Sequence, residues 1–443
     1  MKPIPRIAGA ATAVLALATI TACSSGGATG SGSGSWNIPT SDPKATVTVV
    51  SIAGLGKDTD GMQAVVDAFE KAHPNITIDW QTVPGDQLSN VIESRMGNKD
   101  SKLDLFWADQ PRIAALAQRG YLEDISSQFA PYTSDWQKPA YTGSTADGKL
   151  YGVPLATSTQ LLYYNKALVS KAGAEAPSAD PEKRVTWQDL KVEAEKVQSA
   201  GGAQYGLTFG QVNTYYQLEP LPVSAGGSAG ATGKGNLTPD ITSNAWVKSM
   251  DYYGSLFADG VAPRGVIDND SDFLAGKTAF LVEGNWMLDR LAAQTSVDWG
   301  VAAHPVWEGG KTVTPTGGWD LAMSPFSKQK EAAAVFMKWM TVDNGGNYSR
   351  YRPAPELPAN NEGLKTYLEK PLFQTDEGKK AASLITYESD KTGFPRVQTV
   401  GYLEFESIIG QAFSDIANGA DAKKALTDAT SSLKTAWAKY NKG

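Results

Sequence analysis

The sequence contains few of the side chains that most often form covalent and metal sites. Its 443 residues include one cysteine, Cys23, and two histidines, His73 and His304. A single thiol excludes an internal disulfide and a site with several thiolates. The histidines are far apart and share no ligand spacing, and no Gly-x-Ser-x-Gly elbow occurs. We therefore expect no metal, no cofactor and no Ser-His-Asp triad.

The sequence also lacks an excess of positive charge. It has 40 basic and 47 acidic residues, a formal net charge of −7. The first 22 residues carry Lys2 and Arg6 and no acid, which leaves 38 basic against 47 acidic residues, or −9, in the remainder. Nucleic acids and anionic lipids both attract basic surfaces. We expect this acidic chain to bind neither of them directly.

No apolar run reaches the roughly 20 residues that a membrane-spanning helix needs. The run at residues 7–20 follows a positively charged start and ends in small residues, which is typical of an export signal. Its end, Ile20-Thr21-Ala22-Cys23, resembles a bacterial lipobox, in which the cysteine is lipidated and becomes the first residue. The alternative is an ordinary secretory signal followed by a cysteine without a special role.

The segment after the signal is rich in glycine and serine, and such sequences behave as flexible coil. We interpret residues 1–22 as a lipoprotein signal peptide and residues 23–44 as a tether. The predicted location is the extracytoplasmic face of the cell membrane, where Cys23 carries the lipid anchor and makes the only membrane contact.

Aromatic residues are abundant: the chain has 12 Trp, 17 Tyr and 13 Phe. Most aromatic side chains lie in protein cores. Several here stand beside glycine, asparagine or aspartate at the ends of apolar runs. A sugar ring needs this combination, because its C–H faces stack on aromatic rings and its hydroxyls bind carboxylates and amides.

The apolar spacing alternates between strand and helix periods. Residues 47–51 and 75–80 alternate as strands, whereas Met62, Val65, Val66 and Phe69 form a helical stripe. Strands that alternate with helices predict an α/β fold with a largely parallel sheet. A further helix is predicted to begin at a cap formed by Ser327.

Four segments together resemble the extracellular solute-binding proteins of bacterial ABC importers, family 1, the carbohydrate-binding branch. They are FEKAHPNI (69–76); DGKLYGVP (147–154) with YNK (164–166); GKTAF (276–280) with EGNW (283–286); and GW (318–319) followed by SK (327–328) and AA (332–333). The resemblance implies two α/β lobes of the class II type, a hinge, and a ligand cleft between the lobes. Lobe 1 would comprise residues 45–154 and 305–344, and lobe 2 residues 155–304 and 345–443.

The resemblance also implies a function. The chain would be a monomeric receptor that captures a mono-, di- or oligosaccharide and delivers it to the membrane permease of an ABC importer, without catalysis. One alternative is a surface sensor or adhesion protein with the same fold. Another is a glycoside hydrolase that uses paired carboxylates.

The ligand-binding residues that the resemblance implies come from several parts of the chain. They are Asp109, Gln110, Thr157, Asn213, Tyr215, Glu283, Trp286, Gly318, Trp319, Asp320, Arg396 and Tyr402. Ser158 and Tyr216 are further candidates beside them.

Several of these residues have a structural alternative. Asp109 could cap the helical segment that begins at Pro111, and Glu283 could form a salt bridge. Arg396 could pair with Glu404 or Glu406. The tryptophans could belong to the core.

Overall fold

The computed structural model describes residues 36–53, 62–85, 87–265, 268–293, 296–352 and 356–440. The signal peptide and Cys23 lie outside the described residues. From Asn37 onward the chain forms one compact unit, which contains all the strands and helices named in this section. Among the described helices, none combines the length and the apolar character that crossing a membrane requires.

The strands largely follow the alternating apolar segments of the sequence. They are β1 (Ala45–Ile52), β2 (Ile76–Val83), β3 (Leu105–Asp109), β4 (Thr145–Ala146), β5 (Lys149–Leu150), β6 (Gly152–Ser158), β7 (Gln160–Asn165), β8 (Tyr205–Phe209), β9 (Gly230–Thr232), β10 (Thr238–Asp240), β11 (Thr278–Gly284), β12 (Trp299–Ala302), β13 (Thr314–Met323), β14 (Leu357–Pro358) and β15 (Gly393–Pro395).

The helices pack apolar stripes against these strands. They are α1 (Met62–Ala72), α2 (Leu88–Gly97), α3 (Ile113–Gln118), α4 (Ser126–Phe129), α5 (Lys138–Gly143), α6 (Lys166–Lys171), α7 (Trp187–Lys196), α8 (Tyr215–Leu218), α9 (Pro220–Ser224), α10 (Asn244–Ala258), α11 (Asn269–Leu274), α12 (Met287–Ala293), α13 (Lys330–Thr341), α14 (Asn347–Tyr351), α15 (Asn361–Leu368), α16 (Asp376–Tyr387), α17 (Tyr402–Ala417) and α18 (Ala422–Trp437).

Side-chain capping explains where α7 begins, whereas α13 begins without the cap that the sequence predicted. Thr186 accepts a hydrogen bond from the backbone N–H of Asp189 at 3.0 Å and begins α7. The prediction that Ser327 caps the next long helix is wrong, because α13 begins at Lys330 without a side-chain cap. The Ser327 hydroxyl accepts a hydrogen bond from the Gln329 backbone N–H at 3.0 Å, one residue before the helix, and donates to Asp104 Oδ1 at 2.6 Å. Ser327 therefore stabilises the turn that leads into α13 rather than the first turn of the helix itself.

The larger sheet is mixed rather than largely parallel. Within the described residues its order is β14-β6-β13-β3-β1-β2, and β15 also pairs with β13. Strands β2 and β3 run parallel to β1, as predicted for βαβ units. Strand β13 is antiparallel to both β3 and β6, because it enters the sheet from much later in the chain. Local periodicity cannot indicate such a long-range insertion.

The smaller sheet has the order β12-β7-β11-β8, with β7 antiparallel to its two neighbours. Strands β6 and β7, which belong to different sheets, are separated only by Thr159. The chain returns between β12 and β13. The presence of these two sheets confirms the two-lobe α/β fold that the family resemblance implied.

Two apolar cores lie against the smaller sheet. One combines strand residues with α7, α10, α17 and α18, and it includes the fully buried Trp187, Trp246 and Trp437. The other packs α12 and α16 against the sheet through Leu288 and Leu384. The helix-rich C-terminal part of the chain therefore packs mainly on the smaller sheet.

A buried carboxylate, Glu388, joins the segments that run between the sheets. Its two oxygens accept a forked pair of hydrogen bonds from Arg184, at 2.7 and 3.1 Å. The Thr314 hydroxyl donates to it at 2.6 Å, the Thr392 hydroxyl also donates, and the His304 backbone N–H lies at 3.3 Å. Glu388 is fully buried and the Arg184 side chain is 3% exposed. We call these five residues the Glu388 node.

We predict that Glu388→Gln destabilises the protein strongly. The substitution leaves the buried Arg184 guanidinium without its counter-charge, and breaking a buried pair in this way typically costs about 3–5 kcal/mol. Urea unfolding followed by circular dichroism measures the change. Asp428→Asn, which breaks the exposed pair with Lys424, is the matched control and should leave the midpoint unchanged. Equal midpoints for the Glu388 variant and the wild type would contradict the prediction.

Candidate functional site

A cavity of about 550 Å³, partly open to solvent, lies where the two sheets approach each other. Its walls are formed by residues at or near the ends of several strands and helices from both sheets. The lining residues are Asp109, Thr157, Ser158, Gln211, Thr214, Tyr216, Trp286, Gly317, Gly318, Trp319, Glu356, Arg396 and Glu406.

Aromatic rings line the cavity on the sides of both sheets. Trp319 stands on β13 of the larger sheet, and its ring centroid is 5.8 Å from that of the buried Trp107. Trp286 follows β11 of the smaller sheet, and its centroid is 5.9 Å from that of Tyr216. Trp286 and Trp319 are both partly exposed, so each can offer ring surface to a ligand.

The polar centre of the cavity is a forked ion pair between two of the predicted residues. Arg396 donates to both oxygens of Asp109, at 2.8 and 2.5 Å. The guanidinium lies over the Tyr216 ring, 5.2 Å from its centroid. The Asp109 side chain caps no helix, so the capping alternative does not hold. The partner of Arg396 is Asp109 rather than the suggested Glu404 or Glu406.

Two further carboxylates at the cavity are paired with arginines behind it. Glu406, on α17, pairs with Arg112, which directly precedes α3. Glu356 pairs with Arg352, and the Tyr348 hydroxyl also contacts this pair. These pairs fix the carboxylates before any ligand arrives.

Thr157, Gly318 and Gln110, which were also predicted to bind ligand, belong to or lie beside the larger sheet and contact one another's segments there. Thr157 lines the cavity, and its hydroxyl donates to the Gly317 carbonyl at 3.0 Å. A Cβ at Gly318 would meet Gln110 Oε1 at 2.3 Å, so a larger residue there would displace the Gln110 amide group. The Gln110 amide group donates to Asp320 Oδ1 and to the Ala140 carbonyl, both at 3.0 Å.

Asp320 lies beneath the cavity and not in it. Successive side chains of a strand point to opposite faces, so Trp319 and Asp320 cannot both face the ligand. Asp320 is fully buried and accepts a hydrogen bond from the Ser144 hydroxyl at 2.9 Å, besides the one from Gln110. Burial raises its pKa to about 7. We therefore assign Gln110 and Asp320 to the support of the site rather than to ligand contact.

Glu283 is also buried behind the wall. It stands on β11, is 1% exposed, and accepts a hydrogen bond from the Gly284 backbone N–H at 2.6 Å. Burial, and then the charge of Asp270, raises its pKa well above the ordinary value. A Cβ at Gly210 would meet Glu283 Oε2 at 1.3 Å, so the glycine makes room for the carboxyl group.

Three other predicted residues belong to the packing around the site. Tyr215 is 1% exposed and donates to Glu219, whereas the next residue on α8, Tyr216, faces the cavity. Asn213 has φ +61° and accepts a hydrogen bond from the Tyr253 hydroxyl at 2.8 Å. Tyr402 is fully buried at the start of α17.

Sequence reasoning missed four lining residues, Gln211, Thr214, Gly317 and Glu356, and considered a fifth, Glu406, only as an ion-pair partner. Gln211 and Thr214 flank the segment that contains the candidate Asn213, so the segment was found but not its full extent. Glu356 and Glu406 carry no local signal, because only the distant chain around them makes them part of a cavity. Among the described residues, no group of three or more His, Cys, Asp or Glu side chains is arranged to hold a metal ion.

The two-lobe fold and the cavity between its sheets define a protein of the solute-binding class. The family model described as "Bacterial extracellular solute-binding protein" matches residues 54–346, well over half of the chain. The chain belongs to this family, and the resemblance found in the sequence is confirmed. The family is described as extracellular, and curated relatives are named as binding proteins.

Curated relatives cover most of the chain at low identity. A mannitol-binding protein of Pseudomonas aeruginosa is 24% identical over 398 residues, covering 84% of this chain and 88% of the relative. A maltodextrin-binding protein of Bacillus subtilis is 26% identical over 405 residues, covering 88% and 89%. A maltooligosaccharide ABC transporter solute-binding lipoprotein of Streptococcus pneumoniae is 24% identical over 386 residues, covering 84% and 85%.

Solved structures share the fold. An ABC substrate-binding protein of Listeria monocytogenes, in complex with cycloalternan, has a TM-score of 0.76 at 22% identity, covering 88% of this chain and 98% of that one. The GacH receptor of Streptomyces glaucescens, solved unliganded and with acarbose, has a TM-score of 0.75 at 22% identity, covering 90% and 100%.

We predict that the wild-type protein loses stability as the pH rises from about 4 to 7, and that the Asp320→Asn variant lacks this loss. The pKa of Asp320 is raised from 3.8 to about 7, so the folded protein holds this proton more tightly than the unfolded chain does. Stability therefore falls as pH rises through this window, by roughly 4 kcal/mol at most, and the asparagine variant should lack that fall. Urea unfolding at several pH values measures it.

Asp100 provides the control for this prediction. A hydrogen bond from the Lys102 backbone N–H, together with the Arg95 side chain, lowers the pKa of Asp100. Asp100→Asn should therefore remove a gain in stability with rising pH, the opposite sign. The same pH dependence for Asp320→Asn and the wild type would contradict the buried position of Asp320.

Proposed function

We propose that this protein is an extracytoplasmic sugar receptor that delivers its ligand to the permease of an ABC importer. The observation that carries the proposal is the cavity between the two sheets, where Trp286, Trp319 and Tyr216 surround the Asp109–Arg396 pair. Aromatic faces suit the C–H faces of a sugar ring, and the ion pair suits its hydroxyls. The names of the relatives, which bind mannitol or maltodextrin, support the same class of ligand.

The proposed mechanism is capture by closure of two lobes around the ligand, without catalysis. The sequence-based division assigns residues 45–154 and 305–344 to one lobe and the remainder from residue 155 to the other. Strands β14 and β15 pair with the larger sheet, so we place these short segments of residues 345–443 with lobe 1. A ligand in the cavity would then contact both lobes, and we propose that the receptor acts as a monomer.

A screen of neutral mono-, di- and oligosaccharides by thermal shift tests the proposal. A ligand present at 100 times its dissociation constant stabilises the folded state by about 2.7 kcal/mol, which raises the melting temperature measurably. We expect at least one sugar to do so and to be recovered unchanged. Release of reducing ends would support the glycoside hydrolase alternative, and no shift with any sugar would contradict the receptor function.

We predict that Trp286→Ala and Trp319→Ala each weaken binding of that sugar roughly thirtyfold, or about 2 kcal/mol, because each removes an aromatic anchor. Isothermal titration calorimetry measures the affinity, and thermal unfolding of the empty protein should change little. Trp246→Phe, at a fully buried core position, is the control and should lower stability with affinity retained. Unchanged affinity in both cavity variants would remove the stacking model.

We also propose that Cys23 anchors the mature protein to the membrane by a lipid. The motif at residues 20–23 and the following tether support this, as does the lipoprotein name of the pneumococcal relative. Cys23→Ala should release the protein from the membrane fraction into the medium, as measured by immunoblotting after detergent partitioning. A variant that partitions as the wild type does would contradict the anchor.

A further inference from the structure

Every charged side chain that lines the cavity is paired with a charge of opposite sign. Asp109 pairs with Arg396, Glu406 with Arg112, and Glu356 with Arg352. Three carboxylates and three guanidiniums thus form a set with no net charge. The set extends from the cavity surface to arginines just behind it.

Two of the pairs, Asp109–Arg396 and Glu356–Arg352, are largely shielded from water, whereas the side chains of Arg112 and Glu406 are 20% and 26% exposed. The Arg396 and Arg352 side chains are 7% and 8% exposed, and those of Asp109 and Glu356 are 15% and 19% exposed. Charges in such places interact more strongly than charges in bulk water. A carboxyl group behind the wall, Glu219, has its pKa raised to about 8 by burial, and therefore adds little charge at neutral pH.

We propose that this cavity selects uncharged sugars over acidic and amino sugars of the same size, because its charges are already balanced among the described residues. The inference rests on the proposed sugar-receptor function and narrows its ligand class. An acidic sugar would find each arginine already paired with a carboxylate. An amino sugar would find each carboxylate already paired with an arginine.

The physical reason is the cost of removing water from a charged group. A charge that enters a closed cavity loses its hydration, and an unpaired opposite charge compensates for that loss better than neutral hydrogen bonds do. A neutral hydroxyl loses less and still finds partners. A carboxylate that accepts two hydrogen bonds keeps further lone pairs. A ligand hydroxyl can therefore still donate to Asp109, although the charge of Asp109 is paired with that of Arg396.

Matched derivatives of the best neutral sugar test the proposal on the wild-type protein. The probes are the sugar itself, its uronic acid, and its 2-amino-2-deoxy form, with the uronamide and the 2-deoxy sugar as uncharged controls for lost hydroxyls. Calorimetry at neutral pH and low salt measures their affinities. We expect each charged probe to bind at least about tenfold more weakly than its own uncharged control. A charged probe that binds as tightly as that control would overturn the inference and leave the receptor function standing.

Variants of the central pair test the charge balance directly. Arg396→Gln leaves Asp109 unpaired and should shift the affinity ratio of amino sugar to 2-deoxy sugar toward the amino sugar by about tenfold or more. Asp109→Asn leaves Arg396 unpaired and should shift the ratio of uronic acid to uronamide toward the acid. The double variant restores neutrality and should return both ratios to the wild-type values, whatever the absolute affinity.

Ratios are the decisive readout, because a purely structural role of the pair would weaken all probes alike. Single variants whose ratios equal those of the wild type would overturn the proposal even where every affinity falls. A protein to which no sugar binds at all would overturn the proposed function itself, which the wild-type screen detects before any variant is made. If a single variant fails to fold, the wild-type comparison of charged and uncharged probes decides the matter alone.

Discussion

The arrangement of the binding cavity depends on the buried carboxylate of Glu388. This group accepts hydrogen bonds from Thr314, at the start of β13, and from Thr392, directly before β15. Strands β13 and β15 pair in register there, and they lead to Trp319 and to Arg396 respectively. Arg184 completes the node with the opposite charge. One buried ion pair therefore sets the starting points of two chain segments that deliver different parts of the site.

Strand β13 shows how a single element serves both the site and its support. Alternation along the strand places Trp319 at the cavity and Asp320 on the opposite, buried face. The pairing of β13 with β6 shifts its register between these two residues, but the extra residue, Leu155, lies on β6, and the pairing with β3 stays regular, so the alternation along β13 is kept. Gln110 connects the cavity face of β13 with its buried face. Its amide group donates to Asp320, and its side chain lies against the backbone of Gly318. The backbone beside Trp319 is thus supported from below by the hydrogen bond between Gln110 and Asp320.

The sequence predicted those features that depend on neighbouring residues. The stripe of α1 and the strands predicted at residues 47–51 and 75–80 follow local periodicity, and the structure has them within a few residues of the expected bounds. It could not predict the insertion of β13 between β3 and β6, which depends on contacts far along the chain. The sequence located the segments that contain the pairs Trp319–Asp320 and Tyr215–Tyr216. It did not indicate which member of each pair faces the cavity, because that depends on how the strand or helix is oriented in the folded chain.

The ion pairs of the cavity show most clearly what the sequence could not predict. Asp109 and Arg396 are 287 positions apart, and Arg112 and Glu406 are 294 apart, so no spacing rule could join them. Each was recognisable alone as a polar residue near a strand or helix end. Only the folded chain shows that these residues form ion pairs with each other. On the proposed function, the carboxylates act as fixed acceptors rather than free charges, and ring stacking and neutral hydrogen bonds supply the affinity for a sugar.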